Sequence, residues 1–184
     1  MVDSFLLKKL EELRTYSKNQ SISRLKMAGD EISSESLVRD DKNLVNVAIV
    51  FYSLSKLLQK HYILSTPAWK LFYSDFRRAT EEAEKALKDG EMEGFYELFS
   101  DLVKEIGNLS MEQGRFQSSL VEKAKIKTAT QIYAHGASLR TASEFVGVEA
   151  RELASYIGVT KLPDKYGTMS VKERLKLADR IFSS

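Results

Sequence analysis

The sequence predicts an all-α fold, an N-terminal helical bundle followed by a C-terminal helix-turn-helix unit. Three observations carry that prediction. Leu, Ala, Glu and Lys dominate, and only two prolines and nine glycines interrupt the 184 residues, which is the composition of helices joined by short connections. Apolar residues recur at i, i+3, i+4 and i+7 rather than alternating as in a strand. Near residue 125 the long periodic runs give way to short units separated by Gly136, Gly147, Gly158 and Gly167. The expected division is therefore a bundle over 1–125 and a helix-turn-helix with a C-terminal helix over 126–184.

The first run, Val2 to about Met27, spaces Leu6, Leu10, Leu13, Ile22 and Leu25 helically. Its polar patch Ser17–Ser21 and the following Gly29-Asp30 are both places for a bend, so it reads as one helix or two. Asp40-Asp41 then precede the most apolar stretch, with Leu44, Val47, Ala48, Phe51, Leu54 and Leu58 in register. Acids suit a helix N-terminus, and this is the expected central buried helix. Thr66-Pro67 is an N-cap followed by Pro at the first helical position, where its missing N–H is harmless. That helix is expected to run to Asp89 and stop at Gly90, its aromatic first half buried through Trp69, Phe72 and Phe76 and its charged distal half projecting or thinly packed. A further helix begins at Met92. Another is expected from about Ser110 to His135-Gly136, with Gly107 and Gly114 marking the joint.

Composition excludes several classes. There is no cysteine, which removes disulfides, thiol nucleophiles and cysteine-ligated zinc, and makes a cytoplasmic location the simplest expectation. No apolar run reaches the ~20 residues of a membrane span, so no membrane association is expected. The N-terminus, with Asp3 ahead of Lys8 and Lys9, does not resemble a secretory signal. Net charge is +2, unevenly divided: residues 1–120 carry 17 Lys and Arg against 19 Asp and Glu, and residues 121–184 carry 11 against 7. A basic C-terminal third is compatible with nucleic acid and equally with an ordinary solvated surface.

The functional content lies in residues 128–158. Ser138 is an N-cap candidate; Leu139, Ala142, Phe145 and Val146 make the inner face of a short helix; Gly147 permits a sharp turn; Val148 plugs the corner. Leu153, Tyr156 and Ile157 are the expected inner face of the second helix. Ala142 is small enough for two helix axes to approach closely. The stretch Gly136-Ala137-Ser138-Leu139-Arg140-Thr141-Ala142-Ser143-Glu144-Phe145-Val146-Gly147-Val148 resembles the helix-turn-helix elements of bacterial and archaeal regulators and, in particular, small archaeal antitoxins. Such antitoxins are paired with PIN-type ribonuclease toxins. The resemblance therefore implies a non-enzymatic regulator that binds duplex DNA or a partner protein such as a ribonuclease toxin; separately, a homodimer through the N-terminal bundle, sharing some of its aromatic residues, would bring two such units to one duplex.

If this unit binds DNA, Arg151 and Ser155 are the base-edge candidates, and Arg140, Lys123, Lys125 and Lys127 the phosphate candidates. Against that reading, the second helix opens Glu149-Ala150-Arg151-Glu152, and two acids at the end that approaches DNA repel phosphate. The alternative is a protein-interaction adaptor with no DNA binding, since the same geometry serves protein contacts. Ser170 and Glu173 form a capping box for a last amphipathic helix, apolar through Leu175, Leu177, Ala178, Ile181 and Phe182.

No catalytic residue, metal ligand or cofactor is expected. His61 and His135 have no His or carboxylate at i±3 or i±4, and each reads as a helix-end residue whose cation complements the dipole. A helical bundle invites comparison with HEPN-type ribonucleases, but neither histidine follows the arginine their catalytic pattern needs. The acidic run Glu81, Glu82, Glu84, Asp89, Glu91, Glu93 and Glu97 lacks the Glu-x-x-His of a di-iron bundle and reads as a solvated face.

Overall fold

The computed structural model describes residues 3–112 and 120–160, and among these all regular structure is helical. In chain order the elements are α1 (Ser4–Lys18), α2 (Ile22–Val38), α3 (Leu44–Leu57), α4 (His61–Leu64), α5 (Pro67–Asp89), α6 (Met92–Glu112), α7 (Leu120–Ala134), α8 (Leu139–Val146) and α9 (Ala150–Thr160). The capping box at Ser170 and the helix after it lie outside the described residues, as do Gly114 and Gly167.

The bundle is built around α3. Val45, Val47 to Phe51, Leu54 and Leu57 are all buried, so this helix is covered by α2, α6 and α7, with a lesser contact from α1. Hydrophobic burial of an almost entirely apolar helix is the main stabilising term of such a centre. Gly29 sits in the middle of α2 and does not bend it. A Cβ there would lie 3.2 Å from the Cβ of Phe51, so the glycine sets how closely α2 approaches α3, and the expected interruption at Gly29-Asp30 is absent.

The chain breaks at the other expected place, the polar patch Ser17–Ser21, where Gln20 has φ +50°. The Ser21 N–H donates to the Tyr16 carbonyl and the Gln20 N–H to that of Ser17, the double closure that ends a helix on a left-handed residue. The same closure ends α2 on Asp40 (φ +52°), with Asp41 N–H donating to Ser36.

The start and stop of α5 are as the sequence predicts. Thr66 Oγ1 accepts from Trp69 N–H at 3.1 Å, Pro67 occupies the first turn, and Gly90 takes φ +81°. Its distal half, however, is packed rather than projecting. Thr80, Ala83, Ala86 and Leu87 are buried where α5 lies along α6; the small alanines let the two helices come close, while the charged residues between them face outward. The joint after Met92 also moves. α6 continues through Gly107 and Ser110 to Glu112, and Gly107 faces Val121 of α7.

Residue 125 falls inside α7, which packs on α2, α3 and α6 with one side and on α8 and α9 with another. Ala142, Phe145, Val146 and Leu153 join the same apolar core as Leu6 and Phe51. Ser138 Oγ accepts from Thr141 N–H at 3.0 Å to start α8, and Gly147, at φ +74°, ends it. Val148 and Ile157 are half-buried against this core. Tyr156, expected on that inner face, is 39% exposed.

Candidate functional site

Four helices each bring a pair of residues one turn apart, and therefore on one face, to the same side of the bundle. They are Lys26 and Asp30 on α2, Tyr52 and Lys56 on α3, Lys123 and Lys127 on α7, and Glu152 and Tyr156 on α9. Lys60 lies past the end of α3, at the residue that precedes α4, and comes near Lys56 and Lys123. Ile126 is buried between Lys123 and Lys127 and anchors that stretch of α7. Between α3, α7 and α9 these residues leave a cleft of about 300 Å³ lined by Tyr52, Glu122, Lys123, Ile126, Glu152 and Tyr156.

The electrostatics of the face follow from the crowding of lysines. Burial pushes the Lys56 ammonium below its usual range, and Lys26 and Lys127 push it further. Lys60 is lowered by burial and by Lys123 and Lys56. Like charges within reach of one another make each proton easier to lose. The Lys56 ammonium also lies 5.5 Å from the Tyr52 ring centroid, a cation–π contact that turns the charge toward the cleft wall. Burial, with Tyr156 and Asp30 nearby, raises the Tyr52 phenol to about 12, so the ring is neutral at physiological pH.

The six residues singled out from the sequence do not form one surface. Lys123 and Lys127 stand with the lysine cluster. Lys125, two residues from each and so turned to another side of α7, pairs with Glu122 at 3.1 Å. Arg140, 86% exposed on α8, donates to Glu144 at 2.7 Å in a solvent-exposed pair one turn apart. Arg151 and Ser155 are exposed on the first turns of α9, beside the exposed Glu149 and Glu152.

Sequence reasoning missed Lys26, Lys56, Lys60 and Tyr52. Their signal was Tyr52 and Lys56, one turn apart on an otherwise apolar helix, with Lys60 just past its end. It was overlooked because Tyr52 was grouped with the core aromatics and the net charge of residues 1–120 is acidic.

Neither histidine serves as a dipole cation at a helix C-terminus. His61 opens the short α4, and burial lowers the His135 pKa, which favours the neutral ring. Among the described residues no group of three or more His, Asp or Glu is placed to hold a metal ion, and no helix is long and apolar enough to cross a membrane. The acidic run lies along an open groove between α5 and α6, where Glu82, Asp89, Glu91, Glu97 and Asp101 surround Lys85. No protein-family model, curated protein or solved structure matches the chain.

Proposed function

We propose that this chain is a non-enzymatic, nucleic-acid-associated regulator, antitoxin-like in its C-terminal third, in which α8, the Gly147 turn and α9 act as a helix-turn-helix. The observation that carries the reading is the convergence of Lys26 of α2, Lys56 of α3, Lys60 just past that helix, and Lys123 and Lys127 of α7 onto one side of the bundle. Lysines that neutralise phosphates release condensed counterions, so a gathering of positive charge on one side of the bundle suits a polyanion. The Ser138 cap and the left-handed Gly147 support the helix-turn-helix reading of α8 and α9.

Binding to duplex and single-stranded DNA, measured by fluorescence anisotropy over a range of salt, tests this. The expected result is a steep fall of affinity with salt, whose logarithmic slope drops by about one for each of Lys56, Lys60 and Lys127 replaced by Gln that contacts a phosphate. Absence of binding to either form at low salt overturns the reading.

A second reading has its own observation. The Arg140–Glu144 pair and the acids Glu149 and Glu152 leave the exposed side of α9 poor in positive charge, while Tyr156 and Val159 are exposed there. On that reading α9 contacts protein, a ribonuclease toxin or a second copy of this chain in a homodimer. Sedimentation tests the dimer, and suppression of a co-purified ribonuclease tests the toxin.

A further inference from the structure

We propose that the cleft between α1 and α5 binds a small organic anion, its carboxylate or phosphate held by Arg14, Lys18 and Arg77 and its flat apolar body laid against Tyr73 and Phe76. The site shares no residue with the lysine face, and the inference stands apart from the nucleic-acid reading.

Helical spacing builds the cleft. Arg14 and Lys18 are one turn apart on α1, and Tyr73, Arg77 and Glu81 follow one another at the same spacing on α5, so each set lies along one face of its helix. Where the two helices pack, these residues and Phe76 line a cavity of about 400 Å³, within the range of small-molecule sites. Phe76 is buried and forms the floor. The Tyr73 ring is fixed by its neighbours, with centroids 5.6 Å from Trp69 and 5.8 Å from Phe76, while its hydroxyl makes no hydrogen bond among the described residues.

Charge selects the ligand. Three cations line the cavity against a single carboxylate, Glu81. That carboxylate stands 4.0 Å from Arg77 with both side chains largely exposed, an ion pair of the weakest kind. Lys18 has no carboxylate partner among the described residues. Arg14 gives only its Nη2 to Glu84, which lines the neighbouring groove with Lys88, and its Nε is buried without an acceptor. A guanidinium carries five N–H donors in a planar fork that matches a carboxylate or phosphate, and most of those on Arg14 and Arg77 are unspent. A neutral ligand leaves them so, and a cation meets repulsion. An oxyanion on a planar ring satisfies the cations and the aromatic faces together.

The test titrates the full chain with phenyl phosphate, benzoate, inorganic phosphate and neutral benzamide, following protein NMR shifts. At least one of the two aromatic anions is expected to give saturable shifts at Lys18, Tyr73 and Arg77, and the tighter of them names the oxyanion. Lys18→Gln and Arg77→Gln are each expected to weaken that binding about tenfold, and Tyr73→Phe to weaken it less, through the lost hydroxyl. Lys8→Gln removes an equal charge outside the cleft and is expected to leave binding unchanged. Inorganic phosphate is expected to bind more weakly than phenyl phosphate, and benzamide not at all. No saturable shift with either aromatic anion, equal binding of benzamide, inorganic phosphate binding as tightly as phenyl phosphate, or parental affinity in folded Lys18→Gln and Arg77→Gln variants would each overturn the proposal. None of these outcomes touches the nucleic-acid reading.

Discussion

In the seams that α1 makes with α2 and α5, cations lie against carboxylates; on the α3–α7 face, lysines gather near one another. Lys9, nearly buried, donates to Glu12 at 2.7 Å and to Glu31. Burial alone would lower its pKa, but those two hydrogen bonds outweigh it and hold the ammonium above the usual lysine value. Arg14 reaches across to Glu84, which Lys88 also holds at 2.5 Å, and these contacts bring Glu84 down to about 2. On the other face, burial and neighbouring lysines push Lys56 and Lys60 the opposite way. Lysine is thus held above its usual value in one region and below it in the other.

The largest break acts on α3, the element common to both regions. Phe51 and Tyr52 are adjacent, yet Phe51 is fully buried against Gly29 and Tyr52 opens on the cleft. Phe51→Ala is expected to cost about 3–5 kcal/mol through lost burial and the cavity left behind, whereas Tyr52→Leu stays within about 1.5 kcal/mol of the parent. Urea denaturation of the two variants measures both, and similar losses would mean that Tyr52 belongs to the core.

Next in size is the contrast between lysines. Lys9→Met leaves Glu12 and Glu31 without their cation; because Glu31 is 58% exposed, the loss is expected at about 1–2 kcal/mol, below that of a fully buried pair. Lys56→Met removes repulsion and is expected to lie within about 0.5 kcal/mol of the parent or above it. Added salt should narrow the difference, since it screens the attraction in one region and the repulsion in the other. Equal losses would erase the distinction between the two faces.

The comparison also separates along pH. Glu84 is depressed from 4.5 to about 2 on folding, so its contribution is fully present above 4.5 and is lost as pH falls through about 2. Glu84→Gln should flatten the stability curve over that acid window. Lys56 and Lys60 are depressed below 10.5, so the unfolded chain holds more protons than the folded one between their folded values and 10.5, and stability rises with pH there. Lys9, raised above 10.5, loses its contribution only beyond that point. Denaturation midpoints for the parent, Glu84→Gln and the double Lys56→Met, Lys60→Met variant check each window.

How much of this was legible depended on whether a signal was local. Thr66-Pro67, Gly90, Ser138 and Gly147 mark helix ends within a few residues, and the helices start and stop there. The central helix announced itself because nearly all of its surface is apolar. What escaped notice needed a second element to interpret it. Gly29 has meaning only opposite Phe51, the alanines of α5 only against α6, and the lysine face only when α2, α3 and α7 are assembled. Residues 4 apart on each helix are visible in the sequence, but which stripes converge is a property of packing.

Helix ends supply the smallest and sharpest prediction. Five of them, after α1, α2, α5, α7 and α8, finish on a residue with positive φ, namely Gln20, Asp40, Gly90, Gly136 and Gly147. The first two carry a side chain in a conformation that costs an L-residue roughly 1–2 kcal/mol. Glycine there removes the strain but enlarges the unfolded ensemble, which returns part of the gain. Gln20→Gly is therefore expected to raise stability by about 0.5 kcal/mol, and Gly147→Ala, which introduces the strain that Gln20 already bears, to lower it by about 1 kcal/mol. No atom stands within 4 Å of a Cβ added at Gly147, so a loss there reports backbone conformation rather than a clash. If Gly147→Ala is neutral, the turn between α8 and α9 has another conformation to adopt, and the placement of Tyr156 opposite Tyr52 loses its support.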